Sequence, residues 1–169
     1  MRKLFFLPVL FILLLLQVTV LDFIKVFSVK PDMIVVSIII ASVFFELKFA
    51  LFCSLIAGLF KDVFAANPYG FYTLFMPVWC FVISFVSRKL TIEDKLVLSG
   101  VAFVIVFLNS FFFRFLNALS MEKIAVGIYL RIALLESVYS AMFLPLLLRI
   151  FNKLRLFETN KIKKEFYAE

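Results

Sequence analysis

The sequence contains no histidine and only two cysteines, Cys53 and Cys80. Histidine and cysteine are the usual ligands of protein-bound zinc, so we expect no zinc site. Both cysteines lie inside apolar segments, which favours small hydrophobic residues over a disulfide or a metal pair. Glycine is scarce too, with four residues, and the chain has neither a phosphate-binding loop nor a dinucleotide-binding glycine motif. We therefore predict no metal and no cofactor.

Charged residues are also few, at 17%, whereas hydrophobic residues make up 65% of the chain and the mean hydropathy is +1.14. A soluble domain has about 45–50% apolar residues. One membrane-spanning helix takes about 20 residues, so five or six spans use nearly all of the 169 residues. We predict one polytopic transmembrane domain over 1–151 and a basic cytoplasmic tail over 152–169. The net charge of +7 then reflects the positive-inside bias and anionic lipid rather than nucleic acid.

The apolar segments divide the chain. The first, 4–21, follows Arg2 and Lys3 and has no signal-peptide cleavage site, which predicts an uncleaved span with a cytoplasmic N-terminus. The next two, 33–45 and 49–60, are separated by Glu46-Leu47-Lys48 and are either two short helices or one long tilted helix. The remaining three cover 71–87, 96–116 and 124–151. Charges in the middle of a spanning helix are costly, so we predict six transmembrane helices, with two short ones at 33–60.

The distribution of lysine and arginine tests the topology. Six spans with both termini in the cytoplasm place most of these residues inside, as the positive-inside rule requires. Five spans with the N-terminus outside satisfy the rule nearly as well. Both arrangements put the turn after Asp62 outside and the C-terminal tail inside.

The turn itself carries the most informative pattern. A helix runs into the turn residues Asn67-Pro68 and Gly70, with a glycine and a carboxylate four residues apart on one helix face. This spacing resembles the central signature of the MreD family, the membrane subunit of the bacterial cell-elongation (rod-shape) machinery. The residues that carry the resemblance are Gly58, Leu59, Asp62, Pro68 and Gly70.

The resemblance implies an all-α bundle similar to the S components of vitamin transporters, in the bacterial cytoplasmic (inner) membrane. It implies a non-catalytic scaffold that binds MreC, a protein with a single transmembrane helix. It further implies indirect linkage to MreB and to the elongation transpeptidase and glycosyltransferase. On this hypothesis the protein helps to organise peptidoglycan synthesis and rod cell shape.

Polar residues inside the last two segments form a second group: Asn109, Arg114, Arg131 and Glu136. A carboxylate deep in the bilayer is costly unless it is paired. This group is either a structural tie between the last two helices or a site for a ligand or a partner's transmembrane helix. Asp62 also has a structural and a functional interpretation. As a structural residue it pairs with Lys61 or caps a turn, and as a functional residue it lines an outward-facing cavity or holds the loop for a partner.

Two other functions remain as alternatives. The arrangement also resembles the substrate-binding S component of an energy-coupling-factor vitamin transporter, with Asp62, Arg131 or Glu136 as ligand contacts. The Ala-x-x-x-Ala face with which S components often dock is missing from the first segment, which counts against transport. A lipid-modifying enzyme is the weaker alternative, because no nucleophile–base pair or acid/base dyad is recognisable. We predict that the protein is not an enzyme.

Overall fold

The computed structural model describes residues 5–19, 29–64, 70–89, 95–120 and 126–153, without the side chains of 88–89, 95, 116–120 and 126. Over these residues the regular structure is helical, and no β-strand occurs. The helices are α1 Phe6–Thr19, α2 Met33–Phe44, α3 Leu47–Phe64, α4 Phe71–Lys89, α5 Lys95–Ser120 and α6 Val126–Lys153. The prediction of an all-α protein with six helices is confirmed. The predicted tail, beyond Lys153, lies outside the described residues.

The break between α2 and α3 resolves the two alternatives for residues 33–60. Phe45 has an extended backbone, with φ −113° and ψ 166°, and ends α2. Two helices therefore meet at Glu46, and Lys48 lies in the first turn of α3. α3 continues to Phe64, beyond the end of the apolar segment at residue 60, and it includes Asp62, as the predicted helix that runs into the turn requires.

The short helix α2 lies at the centre of the bundle and contacts each of the other five helices. Every residue from Ile34 to Ser42 is buried. Ile and Val dominate this stretch, although β-branched side chains are slightly unfavourable in helices. A helix that is apolar on all sides is stable where it is buried on all sides, so packing by the surrounding helices offsets the weak intrinsic propensity.

Phenylalanine rings close one end of this bundle. Phe6, which is fully buried, lies 5.0 Å from Phe45, 6.5 Å from Phe49 and 5.6 Å from Phe151 between ring centroids. These edge-to-face contacts join the start of α1, the α2–α3 junction and the end of α6. The polar residues described below lie at the opposite end.

Two helical stretches, Leu96–Phe115 and Gly127–Lys153, are long and apolar enough to cross a membrane. Phe6–Thr19, Met33–Phe44 and Phe71–Ser87 are apolar but shorter. Large hydrophobic side chains are exposed on α1 and on α3 to α6. The apolar surface therefore surrounds the buried α2.

Candidate functional site

Gly58 brings α3 into direct backbone contact with α4. A Cβ atom at Gly58 would lie 2.5 Å from the carbonyl oxygen of Tyr72 and 2.8 Å from the Cα atom of Thr73. Both are backbone atoms, which move only if the whole helix moves. Glycine is therefore required here by the close approach of the two helices.

Asp62, one turn after Gly58, caps the beginning of α4. Its Oδ1 accepts a hydrogen bond from the backbone N–H of Tyr72 at 3.0 Å, and its Oδ2 accepts one from that of Thr73 at 2.7 Å. The hydroxyl of Thr73 donates to the same Oδ2 at 2.6 Å. The first N–H groups of a helix lack partners within the helix, and a carboxylate there also interacts favourably with the helix dipole. Asp62 therefore performs for α4 the role that an N-cap residue usually performs for its own helix.

The other residues of the motif divide into three cases. Gly70 precedes α4 with φ +60°, a left-handed conformation that glycine adopts at little cost. Leu59 takes no part in the α3–α4 contact just described and is 47% exposed. Pro68 lies outside the described residues. The predicted helix that carries Gly58 and Asp62 on one face is confirmed.

Asp32 joins four helices at the start of α2. Its Oδ1 caps α2 by accepting from the backbone N–H of Val35 at 3.2 Å, and it also accepts from Nε2 of Gln17 on α1 at 3.2 Å. Its own backbone N–H donates to the hydroxyl of Ser140 on α6 at 2.8 Å. Its Oδ2 forms a salt bridge with Nζ of Lys61 on α3. The side chains of this ion pair are only 3% and 11% exposed, respectively.

The sequence interpretation did not find this ion pair. Asp32 follows Pro31 and precedes an apolar run, which is the pattern of an N-cap. Gln17, which also accepts a hydrogen bond from the backbone of Ile34 at 3.0 Å, is a lone amide in the first apolar segment. These two signals mark the site, but no sequence spacing relates them to Lys61.

Tyr72 links this ion pair to α5. Nζ of Lys61 lies 3.9 Å from the centroid of the Tyr72 ring, a cation–π contact. The same ring stacks with Phe113 of α5, with a centroid distance of 5.1 Å. Lys61 thus lies between Asp32 and the Tyr72 ring. Its ion pair is with Asp32 rather than with Asp62, its neighbour in the sequence.

A second ion pair joins α5 and α6. Nη2 of Arg114 donates to Oε2 of Glu136 at 3.1 Å, and Ser110 also donates its hydroxyl hydrogen to Oε2. Asn109 is buried, but its Oδ1 has no hydrogen-bond partner among the described residues. Arg131 is exposed and forms no ion pair with the part of the chain that the structure describes. Of the four predicted residues, Arg114 and Glu136 are thus brought together, with Ser110 in place of Asn109.

The two ion pairs and the capping carboxylate form one polar cluster, which consists of Asp32, Lys61, Asp62, Arg114 and Glu136. α6 connects the two ion pairs, because Ser140, which accepts the hydrogen bond from the backbone of Asp32, lies one turn after Glu136. Three carboxylates face two cations, and two of these carboxylates also cap helix N-termini, each equivalent to about half a positive charge. The charges therefore balance within the protein, and the cluster is suited to holding the six helices in register.

No group of three metal-ligating side chains occurs within the described ranges. Both cysteine thiols are free and buried. An apolar groove runs between α1 and α3, and its lining residues are Leu7, Pro8, Leu10, Phe11, Leu14, Ile56 and Phe60. The groove presents no polar group to orient a solute.

No family model, curated protein or solved structure matches the chain.

Proposed function

We propose that this chain is a multi-pass protein of the bacterial cytoplasmic membrane and a non-catalytic scaffold of the cell-elongation complex. The observation that carries the proposal is the contact between Gly58, Asp62 and the first turn of α4. These two residues belong to the motif that resembles MreD, and their spacing has a specific physical purpose in this fold. A motif that arose by chance in an apolar sequence has no reason to coincide with such a contact.

Six membrane spans are supported by the distribution of apolar surface. Large hydrophobic side chains are exposed on all five helices that surround α2. Monomeric soluble proteins rarely expose continuous apolar surface on this scale, whereas the hydrocarbon of a bilayer solvates it. α2 is too short to span a bilayer unaided, but it lies inside the bundle, where the other five helices pack around it. In the proposed topology both termini are cytoplasmic.

A scaffolding role is supported by the way the buried charges are used. Each charged side chain of the polar cluster is engaged by another residue of the same chain. Such ties fix the relative positions of the helices, as a rigid binding partner requires. The partner in this proposal is MreC, and through it MreB and the elongation transpeptidase and glycosyltransferase. The complex then organises peptidoglycan synthesis and rod cell shape.

Affinity purification of the chain from gently solubilised native membranes, followed by quantitative mass spectrometry, tests this function. We expect stoichiometric recovery of an MreC-like protein, with or without cell-wall synthases. Recovery of a transporter membrane subunit with two ATPases would instead identify an S component. A control purification with an unrelated tagged polytopic protein of similar abundance removes non-specific membrane partners.

A further inference from the structure

The line along which α4 meets α5, which we call the α4–α5 seam, is the weakest contact between consecutive helices in the described part of the bundle. α4 packs mainly against α3, and α5 packs mainly against α6. Where α4 and α5 do meet, the contact is aromatic. Between ring centroids, Tyr72 lies 5.1 Å from Phe113, and Phe75 lies 6.1 Å from Phe112. The seam therefore separates an α3–α4 hairpin from an α5–α6 hairpin.

Trp79 and Asn109 lie next to this aromatic contact, at the same level of the seam. Trp79 is one turn after Phe75 on α4, and Asn109 is one turn before Phe113 on α5, so each shares a helix face with a ring of the contact. α4 leads into α5 through the short connection 90–94, and the two helices run antiparallel. One turn forward on α4 and one turn back on α5 thus lead in the same direction along the bundle.

Both residues carry a polar atom without a partner. Nε1 of Trp79 and Oδ1 of Asn109 are buried, and neither has a hydrogen-bond partner among the described residues. Asn109 as a whole is only 2% exposed. Buried polar groups in folded proteins are hydrogen-bonded in the great majority of cases. The indole N–H only donates, whereas the amide oxygen only accepts, so one group that both accepts and donates would satisfy the two atoms together.

The depth of the site restricts the class of this group. Asn109 lies within the apolar stretch Leu96–Phe115, at least about 9 Å from either end at the rise of an α-helix. In the proposed topology this level is in the hydrocarbon, whose acyl chains neither donate nor accept hydrogen bonds. A transmembrane helix can carry a hydroxyl or a carboxamide to this depth, and such side chains form hydrogen bonds across helices in membranes.

The surface beside the two polar atoms also suits a helix. Val82, one turn after Trp79 on α4, is 40% exposed, and Phe112 on α5 is 39% exposed. Trp79 itself is half-buried, so its ring lies at the edge of the seam with Nε1 turned inward. Rotation of this one ring opens the way to Asn109.

We propose that the α4–α5 seam binds a transmembrane helix of a partner through one hydroxyl or carboxamide side chain. This side chain accepts a hydrogen bond from the indole N–H of Trp79 and donates one to Oδ1 of Asn109, while apolar residues of the same helix pack on Val82 and Phe112. The inference rests on the proposed function, because it names the site at which the scaffold holds the membrane segment of its partner. A direct hydrogen bond between Trp79 and Asn109 is the competing explanation, and the first experiment separates the two.

The first experiment asks whether Asn109 has a partner in the isolated protein. The unfolding temperature of Asn109→Leu is compared with that of the wild type in detergent, since leucine keeps the branched shape of asparagine without its polar atoms. We expect the variant to unfold at the same or a higher temperature, because an unpartnered buried polar group is destabilising. A lower unfolding temperature would mean that Asn109 bonds Trp79 or another residue of its own chain, and it would overturn the inference.

The second experiment measures binding of a synthetic helix in phosphatidylcholine vesicles. Two leucine–alanine peptides of about 20 residues carry either glutamine or leucine at the centre and an energy acceptor at one end. Trp79 is the only tryptophan of the chain, so energy transfer from its indole reports association. We expect the glutamine peptide to bind about threefold more tightly or better, in line with interhelical hydrogen bonds in membranes. Equal binding of the two peptides would overturn the inference.

Two variants locate the binding site. Asn109→Leu should abolish the preference for glutamine. Ser137→Ala should retain it, because the hydroxyl of Ser137 on α6 donates to the backbone of its own helix at Leu134. A preference that survives Asn109→Leu would place the peptide elsewhere and overturn the inference. These peptide measurements contain no elongation protein. If purification from native membranes recovers no MreC-like protein, the proposed function fails, while the peptide preference still decides whether the seam binds a polar transmembrane helix.

Discussion

Asp62 on α3 lies 2.7 Å from the backbone nitrogen of Thr73 on α4, so the end of one helix supplies the N-cap of the next. The bond spans the turn between them, in which Gly70 has φ +60°. The carboxylate of Asp62 accepts hydrogen bonds from two backbone N–H groups and one hydroxyl. The α3–α4 hairpin is therefore locked at its turn by a single side chain.

Replacing Asp62 by alanine should lower the thermal stability of the protein in detergent. Loss of an N-cap costs about 0.5–2 kcal/mol, and hydrogen bonds to a charged group contribute about 1.5–3 kcal/mol, so we expect a loss of about 2 kcal/mol. Thermal unfolding followed by a fluorescent thiol probe measures it, because Cys53 and Cys80 are buried in the folded state.

Asp62→Asn provides the control for this loss. Asparagine keeps one acceptor oxygen but loses the charge and the second acceptor, so its unfolding midpoint should fall between those of the wild type and the alanine variant. Equal midpoints for all three proteins would show that the carboxylate does not stabilise the hairpin. The presence of Asp62 would then have to be explained by a role in partner binding.

Gly58→Ala should destabilise the same hairpin for a different reason. The new methyl group would lie 2.5 Å from the carbonyl oxygen of Tyr72, so the helices must separate, at a cost of about 1–3 kcal/mol. Gly100→Ala is the matched control, because a Cβ there meets no atom within 4 Å. Alanine is favoured over glycine inside helices by about 0.5–1 kcal/mol, so this control should be neutral or slightly stabilised. The prediction is wrong if the two alanine variants unfold at the same temperature.

Glu136 should stabilise the contact between α5 and α6. Glu136→Ala leaves Arg114 and Ser110 without their common acceptor, and charged hydrogen bonds contribute about 1.5–3 kcal/mol. We expect a decrease near the lower end of this range, since both side chains of the ion pair are about one-fifth exposed. Arg131→Gln, which removes a charge from the same helix without breaking an ion pair between described residues, should leave the midpoint unchanged. A Glu136→Ala protein as stable as the wild type would argue for a binding role instead.

Sequence patterns predict some helix boundaries of this protein well because strong local signals mark them. Asp32 before an apolar run marks the start of α2, and Gly70 marks the turn before α4. Gly58 and Asp62 could be placed on one helix face from their spacing alone. Their contact with α4 could not be predicted, because it is made with the backbone of Tyr72 and Thr73, and a backbone contact leaves no pattern in the sequence.

The polar cluster shows where sequence reasoning stops. Burial cost predicts that Glu136 has a partner, and Arg114 is among the candidate residues on the facing helix. Asn109 and Ser110 are neighbours on that helix, but Ser110 rather than Asn109 donates a hydrogen bond to Glu136. The middle of α6 is also not at the middle of the bundle. Ser140, which lies beside the start of α2, is already about four turns into α6. Depth therefore depends on helix register, which arises from tertiary contacts such as the one between Ser140 and Asp32.

The ion pair between Asp32 and Lys61 offers the most stringent test of the polar cluster. Removing one partner of a buried ion pair leaves an uncompensated charge and costs about 3–5 kcal/mol, whereas replacing both partners is often nearly neutral. Asp32 has further roles as an N-cap and as an acceptor for Gln17, so its replacement should be asparagine, which retains an acceptor oxygen. The unfolding midpoints of Asp32→Asn, Lys61→Met and the double variant are compared in detergent.

We expect each single variant to be markedly less stable than the wild type and the double variant to recover part of the loss. The non-additive part of the double-mutant cycle should reach about 1–3 kcal/mol, as it does for residues within one network. The paired variants Asp62→Asn and Arg131→Gln serve as a control cycle, since the two residues share no contact and their effects should add. Additive losses for Asp32 and Lys61 would contradict the ion pair, and the start of α2 would then depend on Gln17 and Ser140 alone.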